Sequence, residues 1–216
     1  MNEKKFEGLD GLEITEEIKV TIAAQACILL LHRDTDYYPT LHTILVYPHL
    51  FYSQIKHRLP DGIIEEGEQG RLGESWYRGP VILSWDDVRR SAHDHNDGHN
   101  VVFHEFAHQL DSESGANEGA PLLPQRSSYI AWARVLSDEY QDLLNDIKNH
   151  HTSDIDTYGA TNPAEFFAVV TEYFFEKPIQ LQKHHPELYE QFKNFYKLDT
   201  AALMILSENK KIERKT

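Results

Sequence analysis

The sequence predicts one α+β domain in which a small, mainly antiparallel sheet packs with helices. The first observation is that the 216 residues are 40% hydrophobic, which is enough for one sizeable core. The second is that short stretches rich in β-branched and aromatic residues occur alongside longer ones with apolar residues every three or four positions. Because no repeat or long linker interrupts the chain, we expect residues 1–216 to form a single domain, with 1–11 and 207–216 as flexible ends.

The first predicted element is a helix over about residues 15–32. Thr15, with Glu17 and Ile18 after it, is typical of a helix start. Apolar residues then recur at three- and four-residue spacing, which predicts a face buried in the core. These residues are Ile18, Ile22, Ala26 and Leu29.

The sheet is predicted from three segments in the middle of the chain. The β-branched and aromatic bias of residues 43–47 predicts a strand, and another is expected around 50–55. Glycine, proline and acidic residues crowd 60–73, so this segment is predicted to be a loop. Residues 78–85 predict a strand entered through a Gly-Pro turn. Two roles stay open for it: the sheet edge against which an extended peptide lies, or an interior strand without substrate contact.

A polar segment at 91–100 contains three histidines, His93, His95 and His99. Three histidines in seven residues could form a second metal site. The segment has no regular periodicity, however, and contains several turn-forming residues. We therefore favour a loop that leads into the next helix.

The most informative stretch is 101–111, where a His-Glu-x-x-His pattern lies inside an apolar run. At about 1.5 Å and 100° per residue, His104 and His108 fall one turn apart on one helix face, so both imidazoles can reach one metal ion. Apolar residues occupy the other side and can enter a core. Glu105 is offset around the axis, where a general base can reach a water molecule at the metal.

A catalytic zinc site usually holds three protein ligands, so a third must come from downstream. In the segment 158–175, Asn162 is a good N-cap and Pro163 suits the first helical position. Glu165 either folds back on this cap or approaches the apolar interior, where a zinc ion would offset its desolvation. Glu172 lies on the same face about 10 Å along the axis, so only one of the two glutamates can bind the ion.

Helices are also predicted on both sides of this segment. Ser127 or Ser128 is expected to cap a long helix that reaches about Asn149. Apolar residues at helical spacing predict further helices over 178–206, with Pro186 opening a new one.

Composition excludes several classes of protein. The formal net charge of −14 argues against binding to nucleic acid or to an anionic membrane. The single cysteine, Cys27, cannot form a disulfide within the chain and fits a reducing compartment. No leader is visible, and the apolar stretch 20–31 is too short to span a bilayer. We therefore expect a cytoplasmic protein.

The motifs HEFAHQLD (104–111) and YGATNPAEFFA (158–168) resemble those of the Mlc titration factor family of bacterial zinc peptidases. The second motif also resembles a stretch in the peptidase domain of anthrax lethal factor. The resemblance to the titration factor family extends from about residue 12 to about residue 196. It implies a zincin-like fold with a gluzincin-type site that holds one zinc ion per chain.

The resemblance implies roles for five side chains. His104, His108 and Glu165 would be zinc ligands, which favours Glu165 over Glu172. Glu105 would be the general base, and Tyr158 would be a second catalytic residue that donates a hydrogen bond to the developing oxyanion.

The chain departs from the pattern of glutamate zincins at one place. Those proteins often carry an acid four residues after the third ligand, where it orients a histidine, and here that position is Val169. Asp111 either supplies this contact instead or is an acid at a helix end without such a role.

The resemblance implies an aminopeptidase-like zinc metallopeptidase that hydrolyses peptide bonds. It also implies a partner, the transcriptional repressor Mlc, which such proteins bind and keep from DNA, so that expression of the glucose phosphotransferase system rises. The alternative is a non-catalytic anti-repressor that keeps a zincin scaffold for binding. The presence of Glu105 favours the enzyme, because a purely structural metal site has no need of a base.

Overall fold

A computed structural model of the chain describes residues 3–33, 36–49, 51–58, 64–71, 73–75 and 79–213. The strands are β1 (Lys5–Gly8), β2 (Thr43–Tyr47), β3 (Phe51–Arg58), β4 (Ile64–Arg71), β5 (Gly73–Ser75) and β6 (Val81–Ser84). The helices are α1 (Glu16–Ile28), α2 (Trp85–His93), α3 (Val101–Ser112), α4 (Arg126–Lys148), α5 (Pro163–Glu176), α6 (Pro178–His184), α7 (Pro186–Tyr196) and α8 (Thr200–Glu213), with a 3-10 helix at Thr157–Ala160.

Four of the strands form one sheet in the order β1-β2-β6-β5. β1, β2 and β6 run parallel, and only the edge strand β5 is antiparallel to its neighbour. The expectation of a mainly antiparallel sheet is therefore wrong. The physical reason is the connection between β1 and β2, where α1 crosses the sheet and returns the chain to the same end, so that the two strands run in one direction.

The first strand was not expected, because it lies in the range 1–11 for which we predicted a flexible end. Its backbone pairs with β2 in parallel from Lys5 opposite Thr43 onward, and Phe6 packs against the core. Four residues with one apolar side chain among charged ones carry no strand signal of their own. At the other terminus α8 likewise reaches into 207–216, while residues 1–2 and 214–216 lie outside the described part of the chain.

A separate two-stranded antiparallel sheet is formed by β3 and β4. The strand expected around 50–55 is confirmed, with β3 covering 51–58. The loop prediction for 60–73 is wrong over β4, because pairing with β3 satisfies the backbone of a polar, glycine-containing segment that lacks an apolar alternation. Residue 73 of that predicted loop begins β5, and 60–63 and 72 lie outside the described residues.

The strand predicted at 78–85 is β6, and it lies between β2 and β5. Its interior position decides between the two roles left open, since both of its sides are paired. Its buried residues stand directly opposite those of β2 and form the sheet's face to the core: Ile44 opposite Val81, and Val46 opposite Leu83. Residue 78 lies outside the described residues.

The helical part of the core is built around α5, which packs against α3. Its aromatic side chains are buried almost completely except for the partly buried Phe175, and Phe174 stacks on Tyr196 of α7 with ring centroids 5.6 Å apart. Trp132 of α4 stacks on Phe192 of α7 at 5.3 Å. This aromatic core holds α5 in place, and with it any functional residue that α5 carries.

Most predicted helix starts agree with the structure. Thr15 caps α1 through its side chain, and Pro186 opens α7. The expected serine cap of the long helix is wrong: α4 begins after Gln125, and Ser127 and Ser128 lie inside its first turn. None of the helices formed by the described residues is long and apolar enough to cross a membrane.

Candidate metal centre

Helix α3 places two histidines on the face that looks toward α5. Asn100 caps its first turn by accepting a hydrogen bond from the Phe103 backbone N–H at 3.0 Å. Phe106 and Leu110 are fully buried on the other side and fix the rotation of the helix about its axis. His104 and His108 are thereby held one turn apart, with their rings edge to face at 4.9 Å.

Helix α5 brings in the third side chain. Asn162 caps this helix by accepting hydrogen bonds from the backbone N–H groups of Ala164 and Glu165 at 2.9 and 3.0 Å. Because the cap is filled by Asn162, the Glu165 carboxylate does not fold back on the helix end. It instead extends to the two histidines of α3.

The three potential ligand atoms form one small triangle. Glu165 Oε2 is 2.9 Å from His104 Nε2 and 3.3 Å from His108 Nε2, and the two nitrogens are 3.3 Å apart. In a tetrahedral zinc site with bonds of about 2.0–2.1 Å, neighbouring ligand atoms are about 3.3 Å apart. The donor set and its spacing therefore fit a divalent transition metal. Among the described residues, no other group of three or more His, Cys, Asp or Glu side chains could hold a metal ion.

Glu172 contacts the opposite nitrogen of the His104 ring. Its Oε1 lies 2.7 Å from His104 Nδ1. The Nδ1–H of His104 donates this bond to Glu172. The lone pair of Nε2 therefore faces the point between the three potential ligand atoms. A carboxylate in this place fixes both the tautomer and the orientation of a ligating histidine.

Glu172 therefore supplies the carboxylate that orients a histidine, which glutamate zincins often carry at the position of Val169. Asp111 is fully buried, and its Oδ2 accepts a hydrogen bond from the Gly119 backbone N–H at 2.8 Å, so it holds the loop after α3. The sequence offers Glu172 only as a rival ligand, whereas in the structure it contacts His104 on the nitrogen away from Glu165. Helical spacing places Glu172 on the same face of α5 as Glu165, but the contact with His104 itself depends on how α5 packs against α3.

The electrostatics of the centre favour a bound positive charge. Burial acts to lower the pKa of His104, but its bonds with Glu165 and Glu172 outweigh burial and raise the pKa well above its usual value. Burial acts in the opposite direction on the pKa of Glu165, which its hydrogen bonds with His104 and His108 nevertheless lower. The centre is therefore organised around a cation, either a proton or a metal ion.

His104 of the centre lines a cleft of about 570 Å³. Glu105 is buried and lines this cleft together with His104 and Tyr158. Tyr158 lies in the 3-10 helix before α5, is 55% exposed, and has its ring 5.8 Å from that of His104. The five side chains predicted from the sequence therefore come together in one region, with Glu105 and Tyr158 on the wall of the cleft.

The three histidines of the preceding segment do not form a metal-binding group with one another. His93 ends α2, and His95 is exposed. His99 lines the cleft, with Nε2 3.6 Å from Asp156 Oδ2. This arrangement agrees with the loop that we favoured over a second metal site.

A mixed helix-and-sheet fold with two histidines and a glutamate around one point defines a candidate metalloprotein. The family model described as glucose-regulated metallo-peptidase M90 matches residues 1–197. The chain belongs to this family of metallo-peptidases, which implies that a metal ion is required.

Individual relatives agree with this assignment. An uncharacterized protein of Synechocystis is 46% identical over 202 residues, which cover 92% of this chain and 73% of the relative. Proteins named Mlc titration factor A from Klebsiella pneumoniae and Serratia proteamaculans are each 33% identical over 205 residues. Those alignments cover 94% of this chain and 76% and 77% of the relatives. The resemblance drawn from the two motifs is thereby confirmed.

Proposed function

We propose that this protein is a zinc-dependent metallopeptidase of gluzincin type on a zincin-like fold. The observation that carries the proposal is the triangle of His104, His108 and Glu165 donor atoms, spaced as in a tetrahedral zinc site beside a buried glutamate in a cleft. A zinc ion there supplies Lewis-acid chemistry, activating water and polarising a carbonyl group. Membership of a metallo-peptidase family supports hydrolysis of a peptide bond as the reaction.

The remaining steps fall to two residues of the cleft. Glu105 acts as general base: its carboxylate takes a proton from the attacking water and then gives it to the nitrogen of the departing amine. Tyr158 donates a hydrogen bond from its hydroxyl to the oxyanion that develops on the scissile carbonyl. Both residues line the same cleft as His104, which supports this division of roles.

We further propose an aminopeptidase-like preference for substrates with a free N-terminus. Beyond Glu105 and Glu172, the cleft is lined by Asp87, Asp97 and Asp156, with Arg90 as the basic residue. A wall rich in carboxylates favours a substrate whose end carries an ammonium group. Comparing hydrolysis of one short peptide with and without N-terminal acetylation tests the preference, and equal rates would contradict it.

Replacing Glu105 by Gln tests the enzymatic assignment. The variant keeps the shape of the side chain but loses the base, so peptide hydrolysis should fall by at least about a hundredfold. Its zinc content, measured by elemental analysis after dialysis, should equal that of the wild type, because Glu105 is not a ligand. A Glu105→Gln protein that cleaves peptides at the normal rate would show that the base is elsewhere.

A second function is suggested by the printed name of two relatives, Mlc titration factor A. We propose that the chain also binds an Mlc-like repressor in the cytoplasm and so raises expression of glucose-transport genes, with no direct contact to nucleic acid or membrane. Capture of purified Mlc by the Glu105→Gln protein separates this function from hydrolysis. Binding by the inactive variant supports an anti-repressor that acts by association, whereas absence of binding by both forms contradicts it.

A further inference from the structure

The segment before the metal helix is tied to α5 by two glutamates one turn apart. Glu172 Oε2 accepts a hydrogen bond from the Asn100 backbone N–H at 2.5 Å. Glu176 accepts two, from the Asn100 side-chain amide at 3.0 Å and from the Gly98 backbone N–H at 3.1 Å. Segment 94–100 and α5 are therefore joined through buried polar contacts directly behind the candidate metal centre.

Asn100 connects these contacts to helix α3. It is 3% exposed, and its side-chain oxygen caps the helix that carries His104. Its side-chain amide donates to Glu176 Oε1 and also to Gln25 Oε1 of α1, at 2.9 Å. Because all of these groups are used, Asn100 cannot shift without breaking either the cap of α3 or its contact with Glu172.

Glu176 is the buried end of this network. It is 2% exposed, and burial together with a hydrogen bond to Asp97 raises its pKa to about 8. At neutral pH the Glu176 carboxyl is therefore protonated, and its O–H donates a hydrogen bond to Asp97. Gly98 contributes its N–H from a left-handed conformation, with φ at +86°, and a Cβ there would approach the Tyr173 ring at 3.1 Å.

We propose that Glu176 is a positioning residue of the metal centre, which holds Asn100 and through it the Glu172 carboxylate that orients His104. The inference rests on the proposed metal site. The sequence of contacts runs from Glu176 to Asn100, to Glu172 and to His104 Nδ1; the first two links are buried hydrogen bonds and the third is partly buried. A histidine whose ring is held in this way binds a metal ion more tightly than one free to rotate.

The two glutamates should respond differently to replacement by glutamine. Glu172 accepts hydrogen bonds on both oxygens, so an amide there would turn its NH₂ toward another donor. Glu176 also accepts on both oxygens, but only its bond from Asn100 belongs to the sequence of contacts. A glutamine can keep its carbonyl oxygen on the Asn100 amide and donate its NH₂ to Asp97, so that only the bond from the Gly98 N–H is lost. Glu172→Gln should therefore disrupt the centre, while Glu176→Gln should restore what Glu176→Ala loses.

The experiment measures zinc affinity at pH 7 by competition with a chromophoric chelator, and the visible spectrum of the cobalt-substituted protein. We expect Glu176→Ala to bind zinc about tenfold more weakly and Glu172→Gln about tenfold to a hundredfold more weakly. Both should show an altered cobalt spectrum. Glu176→Gln should stay within about threefold of the wild type. Asn100→Ser, which keeps a capping oxygen but lacks the amide donors, should also bind zinc about tenfold more weakly, and it supplies the test if Glu176→Ala fails to fold.

Thr171→Val is the matched control on the same helix. Thr171 is buried and its hydroxyl bonds to Tyr196 of α7, so loss of this bond should lower the melting temperature without changing zinc affinity. Unchanged zinc affinity in folded Glu176→Ala and in Asn100→Ser would overturn the inference while the metal site stands. A wild-type protein that binds no zinc would overturn the proposed function and the inference together.

Discussion

At the scale of single residues, the His104 ring has a carboxylate at each of its nitrogens. Glu172 lies 2.7 Å from Nδ1 and Glu165 lies 2.9 Å from Nε2. Without an ion, the raised pKa of His104 means that a proton lies between Nε2 and Glu165. A metal ion takes the place of this proton, so metal binding is coupled to proton release and strengthens as the pH rises through neutrality toward the raised pKa of His104.

The hydroxyl of Tyr158 is expected to matter for the rate and not for the metal. Removal of one oxyanion donor typically lowers kcat by about 10² to 10³, so Tyr158→Phe should fall in that range while zinc content is unchanged. Tyr129→Phe is the control, because Tyr129 bonds to the Leu123 backbone N–H away from the cleft and its loss should leave kcat intact. Steady-state kinetics with a chromogenic peptide measure both, and a normal kcat in Tyr158→Phe would exclude the assigned role.

Glu176 should make the protein less stable as the pH rises from about 4.5 to about 8. Burial, with a further contribution from Asp97, raises its pKa from 4.5 to about 8. Between these values the folded state keeps a proton that the unfolded state has lost, so the unfolding free energy declines by at most about 1.4 kcal/mol per pH unit. Glu176→Gln has no titratable group at this position. Urea denaturation should therefore show the unfolding free energy of the variant rising relative to that of the wild type from pH 5 to pH 8. A constant difference across that range would contradict the assigned pKa.

The sequence predicted which side chains meet at the centre, but it did not predict the contact that orients His104 there. The positions of His104, His108 and Glu165 follow from spacing within two helices, which the sequence displays directly. Their roles as ligands remain a prediction. The contact of Glu172 with His104 depends on how α3 and α5 pack, which no local pattern reveals.

At the scale of elements, the first turn of α5 determines where Glu165 points. Asn162 satisfies two backbone N–H groups there, including that of Glu165 itself. Asn162→Ala should lower the unfolding free energy by about 1 kcal/mol and weaken zinc binding, because the turn that carries Glu165 can fray.

Asn162→Ser separates the cap from other effects of the substitution. Serine caps helices about as well as asparagine, so this control should stay close to the wild type in both measurements. Urea denaturation gives the stability, and chelator competition gives the zinc affinity. Equal losses in the two variants would show that the capping bonds are not the cause.

The sheet illustrates why elements were harder to predict than motifs. β2 and β6 have apolar side chains and were found, whereas β1 and β4 are polar and owe their strand conformation to backbone pairing with a partner. Because β1 was not predicted, the crossover from β1 through α1 to β2 could not be recognised. The wrong prediction of antiparallel strands followed from this. Helices were easier, because capping residues such as Thr15 and Asn162 act locally.

At the scale of the whole molecule, the candidate centre joins parts of the chain that are far apart in sequence. Glu165 lies 61 residues from His104 and 57 residues from His108. A chain with a formal net charge of −14 also gathers Glu105, Glu165 and Glu172 at this one place. A bound divalent cation offsets that local repulsion and closes the long connection between α3 and α5.

Zinc should therefore stabilise the entire fold. We propose that residues 1–216 form one domain, so the metal-free protein should melt in one transition. Free zinc at about one hundred times its dissociation constant adds about 2.7 kcal/mol, which for a chain of this size raises the melting temperature by about 5 to 11 °C. Glu165→Ala should lose most of this shift, while Glu190→Ala, on the surface of α7, should retain it. Differential scanning calorimetry makes the comparison. An equal shift in Glu165→Ala would mean that zinc stabilises the protein through other histidines, because the carboxylate that links α5 to α3 would then be dispensable.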